Sequence, residues 1–254
     1  MQHLTPDSAD LGILIVAHGE RGGRFDNARV LELADEVRNN IGNVQVEAGV
    51  LKGSPSISDA WTRLKSSHKL IYPFFMSDGY FCNRILPRKL AQEIDHSIDA
   101  LTMLPPFGVS EWLANCVTSA LLQDIEQLGL KGTRPPLLIA AHGASIDKQS
   151  SKRTRQLADK LKRTGNFGRI SCGFLDEAPH LSDMIGEVLP NTVVLPLFNG
   201  LGSHSVDDMA KLAKSAPESC HFVTPVGGQS WVGDIMTADI LKALHWWGAA
   251  EAAE

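Results

Sequence analysis

His142, His204 and the adjacent acids Asp176 and Glu177 are the residues of this chain whose types and spacing best suit chemistry. Each follows a short apolar run: LLIAAHGA at 137–144, GFLDEAP at 173–179 and LPLFNGLGSH at 195–204. A neutral imidazole can take a proton near neutral pH or ligate a divalent metal. Two imidazoles and a carboxylate suit a first-row transition metal. The apolar runs read as strands of a parallel sheet covered on both faces. Open α/β sheets bind ligands at the carboxyl ends of such strands. Neighbouring strands lie about 4.8 Å apart. Two strand-end histidines can therefore face one site if their strands are adjacent.

The same phrase occurs earlier. ILIVAHGE at 13–20 ends in His18 and Gly19. His18 and His142 are 124 positions apart, as are Leu33-Ala34-Asp35 and Leu157-Ala158-Asp159, Pro55 and Pro179, and Ser58-Asp59 and Ser182-Asp183. After one deletion, Pro73 matches Pro196 and Gly79 matches Gly202. Near the ends, Gly108 matches Gly227 and Trp112 matches Trp231. A period this long marks a duplicated domain, because solenoid repeats run about 20–50 residues.

The two copies differ where chemistry is expected. Phe81 stands where the second half has His204, and Lys52-Gly53 stand where it has Asp176-Glu177. The donor set is complete only in the second half. His18 reads as a hydrogen-bonded structural residue or a substrate contact. His180 lies beside the second-half edge as a further contact. His3, His68, His96, His221 and His245 read as surface or packing residues.

Strand and helix alternate throughout. The first half predicts strands at 12–17, 45–51, 69–75 and 100–104. Helices are predicted near 25–40, from Pro55-Ser56 onward, at 84–97 and at 109–128. The first helix is expected to bury Leu31, Leu33, Ala34 and Val37, and the second Ile57, Ala60, Trp61 and Leu64. The glycines, prolines and basic residues of Gly129–Pro136 mark a boundary, beyond which the pattern restarts. The expected architecture is α/β, with two tandem homologous lobes at 1–130 and 135–254. Each is a four-stranded parallel sheet flanked by helices.

Composition narrows the functional classes. A net charge of −5 argues against a nucleic-acid binder with a basic face. No apolar run approaches the ~20 residues of a membrane span, and MQHLTPDSADLG is not a secretory signal. The expectation is a cytoplasmic protein. The four cysteines form no CxxC pair and read as reduced packing residues. No glycine-rich phosphate loop is present, so no nucleotide is expected.

AAHG (140–143), FLDEAP (174–179) and LPLFNGLGSH (195–204) resemble the motifs of the sirohydrochlorin cobaltochelatase family of CbiX type, among the class II tetrapyrrole chelatases. The resemblance covers about 11–115 and 136–245. It implies a chelatase-like fold of two lobes with a tetrapyrrole cleft between them. It implies ATP-independent insertion of a divalent metal, as in cobalamin or siroheme biosynthesis. The metal is a substrate: Co²⁺ first, with Fe²⁺ or Ni²⁺ as alternatives. His142 and His204 match the metal-binding and proton-accepting histidines, and either Asp176 or Glu177 matches the acidic partner. Arg21, Arg24, Lys148, Lys152 and Arg153 are candidates for meeting the carboxylates of the macrocycle. The residues after HG depart from the family pattern, being Glu20-Arg21 and Ala144-Ser145. One chain supplies both lobes, which suits a monomer and leaves a homodimer open.

The main alternative is a non-catalytic relative that binds a tetrapyrrole or metal as carrier or sensor. AHGER is also similar to the RHGE phrase of histidine phosphatases. Ala17 and Ala141 stand where that family needs an arginine, which removes its anion clamp.

Overall fold

The computed structural model describes residues 11–19, 27–94, 101–200 and 203–251; for 203–207 and 246–251 it describes the backbone. The first sheet is built from β1 (Leu11–Ala17), β2 (Gln45–Val50), β3 (His68–Pro73) and β4 (Thr102–Met103), in the order β2-β1-β3-β4. The second is built from β5 (Leu137–Ala141), β6 (Ile170–Phe174), β7 (Val193–Leu197) and β8 (His221–Phe222), in the order β6-β5-β7-β8. Every pairing is parallel. The central strands β1 and β5 are buried along their whole length, as their unbroken apolar sequences require.

In the first unit, α1 (Ala28–Ile41) buries Val30, Leu33, Ala34 and Val37, at i, i+3, i+4 and i+7. Leu31 was expected on that face but lies one residue round the helix and is 37% exposed. Ser56 opens α2 (Ile57–Arg63) with a reciprocal capping box to Asp59. Ile57, Ala60, Trp61 and Leu64 are buried as expected. They pack with Leu14 and Val16 of β1 and Ile71 of β3 against one face of the sheet. A π-helical turn at Phe81–Ile85 leads into α3 (Leu86–Glu93), so this helix begins earlier than 84; residues 95–100 lie outside the described residues. The fourth strand shortens to two residues. A 3₁₀ turn at Phe107–Val109 precedes α4 (Leu113–Gln127).

In the second unit, α5 (Gln149–Arg163) and α6 (Leu181–Met184) follow β5 and β6, and α7 (Ser203–Ser215) follows β7. Leu138, Ala140, Leu181, Ile185, Val194 and Phe198 form its core with Met209 and Leu212 of α7. The last described element is α8 (Val232–Glu251).

Compactness and sequence repeat divide the chain differently. One unit comprises Met1–Phe75, Phe81–Ser110 and Ser230–Glu254; the other comprises Met76–Tyr80 and Glu111–Gln229. The final helix of each repeat is thus grouped with the other copy's sheet: α8 packs on α1, and α4 packs on α5. The contact division therefore departs from a cut at 130–135. An apolar helix face shows that something must cover it, not which sheet will.

Within the first unit, α8 is anchored through Asp239. Its carboxylate accepts hydrogen bonds from the Tyr72 hydroxyl at 2.8 Å and the Ser110 hydroxyl at 2.9 Å. Burial and the adjacent Asp239 charge push the Tyr72 phenol well above its ordinary range, so it remains a donor. None of the four cysteines forms a disulfide. No helix among the described residues is long and apolar enough to cross a membrane.

Candidate functional site

In the second unit, β5 lies between β6 and β7, and the connections from β5 and β7 leave on opposite sides of the strand order. That reversal opens a crevice above the carboxyl ends of β5 and β7, where a sheet of this kind binds its ligand. His142 follows the last residue of β5 and lies at this edge.

The backbone joins His142 to the neighbouring loop. Its carbonyl accepts the N–H groups of Leu175 at 3.1 Å and Asp176 at 3.0 Å. The side chains meet as well, with His142 Nδ1 3.2 Å from Asp176 Oδ2. Both side chains are slightly more than half exposed, at 55% and 54%. A pair so open to water adds little stability. Its consequence is orientation. A carboxylate beside Nδ1 favours the proton on that nitrogen, which leaves the Nε2 lone pair as base or metal donor.

Glu177 is differently placed. Its side chain is 5% exposed and accepts from Lys148 Nζ at 2.8 Å and from the Ala144 N–H at 3.1 Å. Burial pushes its pKa up, but the hydrogen bonds from Lys148, Ala144 and Ser151 outweigh burial and leave it below the ordinary value. Asp176 and Glu177 are neighbours in sequence that serve opposite sides of their loop. Asp176 faces the imidazole, and Glu177 ties the loop after β6 to the one after β5.

The glycine of the HG phrase is required by the fold. Gly143 has φ +70°, and a Cβ there would lie 2.9 Å from both Glu177 Cγ and Phe174 Cβ. Gly19 has φ +91°, and its Cβ would lie 1.9 Å from the Lys52 carbonyl oxygen. The phrase therefore has two parts: a glycine that lets adjacent loops pack, and a histidine whose ring is directed by what stands beside it.

The sequence pattern places His204 at the end of a strand. It is instead the second residue of α7, after a loop that leaves β7 at Leu197. Its side chain lies outside the described residues. The helix start still belongs to the edge that holds His142, because β5 and β7 are hydrogen-bonded neighbours. His180 is exposed at the amino end of α6, with its backbone bridged to Phe174. Among the described residues, no three His, Cys, Asp or Glu side chains cluster as a ready-made metal site.

The basic candidates separate. Lys148 is committed to Glu177 although its side chain is 73% exposed. Arg153 is held by Asp78 through two bonds of 2.8 and 2.6 Å, a partner the sequence did not reveal. Lys152 is exposed, and Arg21 and Arg24 lie outside the described residues. His68 and His245 are exposed and His221 is half-buried on β8; His3 and His96 lie outside the described residues.

The first unit repeats the backbone of this edge with other side chains. The Lys52 N–H donates to the His18 carbonyl at 3.1 Å, as Asp176 does to His142. Phe81 lies edge-on to His18, with ring centres 4.6 Å apart and planes at 80°. Where the second unit buries Glu177, this unit has Gly53, and Asn27 Nδ2 fills the space to donate to the Ser54 carbonyl at 2.7 Å.

Comparison with known proteins gives consistent matches. The CbiX family model matches residues 12–124 and 136–243. A Halobacterium salinarum protein named probable sirohydrochlorin cobaltochelatase is 24% identical over 220 residues, covering 78% of this chain and 74% of that protein. The solved structure of CbiX, described as the terminal enzyme for biosynthesis of siroheme in denitrifying bacteria, is 29% identical. It superposes with a TM-score of 0.79 over 91% of this chain and 99% of its own. The sirohydrochlorin chelatase SirB from Bacillus subtilis subspecies spizizenii, solved with cobalt, shares the fold at 13% identity. Its TM-score is 0.73, over 93% of this chain and 96% of its own.

Proposed function

The chain belongs to the CbiX family, and on that premise we propose that it is a metal chelatase that inserts a divalent ion into a sirohydrochlorin-type tetrapyrrole without ATP. The observation that carries the reading is the His142–Asp176 pair at the carboxyl edge of β5.

Metallation exchanges two pyrrole N–H protons for one M²⁺. His142, with Nδ1 turned to Asp176, offers Nε2 as the acceptor of a departing proton. Asp176 then stabilises the imidazolium that forms. Water, which reaches both side chains, carries the protons away. Before transfer, Nε2 of the same imidazole can hold a partly dehydrated metal beside the ring, with His204 on the first turn of α7 as the further donor and Asp176 orienting the imidazole from its other edge. Binding energy from the rest of the macrocycle can be used to bend it and expose its nitrogen lone pairs.

The metal is Co²⁺ or Fe²⁺. Both suit imidazole and carboxylate donors. The Halobacterium relative is named for cobalt and the denitrifier relative for siroheme. The product then serves cobalamin or siroheme synthesis. The reaction is cytoplasmic, and one chain carries both repeats, so a monomer suffices.

The test is an anaerobic absorbance assay of sirohydrochlorin with Co²⁺ or Fe²⁺. The reading predicts a spectral shift faster than the spontaneous rate and dependent on protein concentration. Binding of sirohydrochlorin without acceleration would make the protein a carrier instead.

A further inference from the structure

Charge is unevenly spread along this chain. Residues 148–169, which run through α5 to the start of β6, hold eight Lys or Arg and one acid, Asp159, a formal charge of +7. The whole chain has a net charge of −5, so its other residues carry −12. Two of the eight cations are engaged, Lys148 by Glu177 and Arg153 by Asp78. The other six, Lys152, Arg155, Lys160, Lys162, Arg163 and Arg169, are exposed, and none of them makes a salt bridge among the described residues. α5 buries Ser151, Thr154, Leu157 and Leu161. At 3.6 residues per turn, its exposed cations fall on the opposite arc.

This face begins at the site. Lys148, just before α5, holds Glu177 beside Asp176, and the Arg155 guanidinium lies 5.1 Å from the Phe174 ring centre, at the carboxyl end of β6. It ends at the opposite edge of the sheet. Arg163 is about 17 Å from Lys152 along the helix, at 1.5 Å per residue. Arg169 directly precedes β6, and the exposed Arg134, which precedes β5, lies 4.0 Å from where Gly165 would carry a Cβ. No large apolar side chain is exposed on residues 148–169. The face therefore lacks the apolar core of a protein interface and the apolar anchor of a helix seated in a membrane surface. What it has is a field. Clustered charges of one sign raise the association rate of a solute of the other sign more than its affinity.

We infer that the exposed cationic face of α5 steers the polycarboxylate tetrapyrrole toward the His142 edge, setting how fast it arrives rather than how tightly it is held. The inference rests on the chelatase reading, whose two substrates have opposite charges. The field that draws in the polyanion repels the metal cation, so the two feel this face with opposite sign. Lys160, Lys162 and Arg163, at the far end of the helix, act at a distance and make no contact with the bound ring.

The experiment uses the full-length chain and a triple variant, Lys160→Glu, Lys162→Glu and Arg163→Glu, with the fold checked by thermal melting. Stopped-flow fluorescence of sirohydrochlorin without metal reads association and dissociation, and initial rates of Co²⁺ insertion read turnover. The triple variant should associate about 10-fold more slowly than wild type at ~20 mM salt, and within about 2-fold of it at ~0.5 M. Its dissociation rate and kcat should be unchanged, and kcat/KM for Co²⁺ should hold or rise. Lys162→Glu alone should slow association more than Lys214→Glu, an equal change of net charge at an exposed position of α7. This single-site comparison decides the matter if the triple variant fails to fold. Association at the wild-type rate in low salt, an equal effect of Lys214→Glu, faster dissociation or a fall in kcat/KM for Co²⁺ would each overturn the steering while leaving the chelatase reading intact. Wild-type protein that binds but does not metallate would remove the chelatase reading, and the association rates would still decide the steering. Failure of wild type to bind sirohydrochlorin would overturn both.

Discussion

His142 and Asp176 are joined twice, through the backbone at 3.0 Å and through the side chains at 3.2 Å. The first contact fixes where the loops meet, and it is shared with His18 and Lys52. The second is special to the second unit. It turns a repeated structural position into one with a directed proton acceptor.

Replacing Asp176 should therefore alter chemistry more than stability. Asp176→Asn keeps the backbone bond and removes the charge that supports imidazolium. The insertion rate should fall about 10- to 100-fold, with the urea midpoint unchanged. A variant with full activity would remove Asp176 from the proton path.

Glu177→Gln should do the opposite. The substitution removes the charge of a side chain buried between Lys148 and Ala144, at a cost of about 1–3 kcal/mol. Insertion per folded molecule should change little. The effect should also depend on pH. The folded-state pKa of Glu177 lies below the unfolded value, so its stabilising charge is fully present above the unfolded pKa, about 4.3. It is lost as pH falls through the folded value. Urea titrations should show wild type and Glu177→Gln differing at pH 7, with the difference shrinking as pH falls below the unfolded value towards the lower folded one. A constant difference over that range would contradict this role.

Alanine at the two loop glycines should rank by what the new methyl meets. Gly19→Ala drives Cβ to 1.9 Å from the Lys52 carbonyl oxygen, whereas Gly143→Ala makes a milder clash, 2.9 Å from Glu177 Cγ and Phe174 Cβ. Both incur about 1–2 kcal/mol for left-handed backbone. Gly19→Ala should lose more stability in urea unfolding, and equal losses would refute the packing explanation.

Tyr72→Phe should loosen the anchor of α8. One of the two hydroxyl donors to Asp239 is lost, while the Ser110 bond remains. The expected destabilisation is about 1–2 kcal/mol. Hydrogen exchange should report it in α1 and α8 first.

Particular residues show how much of this was legible in the sequence. The repeat, the parallel strands and the buried faces of α2 could be read because apolar periodicity and turn residues act locally. The first-helix face was misjudged by one position, Leu31 for Val30, since both are apolar and only the sheet decides between them. The exchange of α4 and α8 left no local signal. The choice between Asp176 and Glu177 also needed coordinates. Adjacent residues point in different directions, and only the position of Lys148 shows which carboxylate is held inside. His204 looked like a strand-end residue because the strand before it was clear, while the loop leading into α7 was not. Asp78 could not be paired with Arg153 from a separation of 75 residues.

The central claim is that the second unit does the chemistry. Initial rates of anaerobic Co²⁺ insertion into sirohydrochlorin, compared for His142→Ala and His18→Ala at matched folded concentrations, test it most directly. The account predicts that His142→Ala falls to the spontaneous rate, while His18→Ala retains turnover at saturating sirohydrochlorin. Loss of turnover in His18→Ala with activity kept in His142→Ala would contradict it and move the reacting site to the first unit.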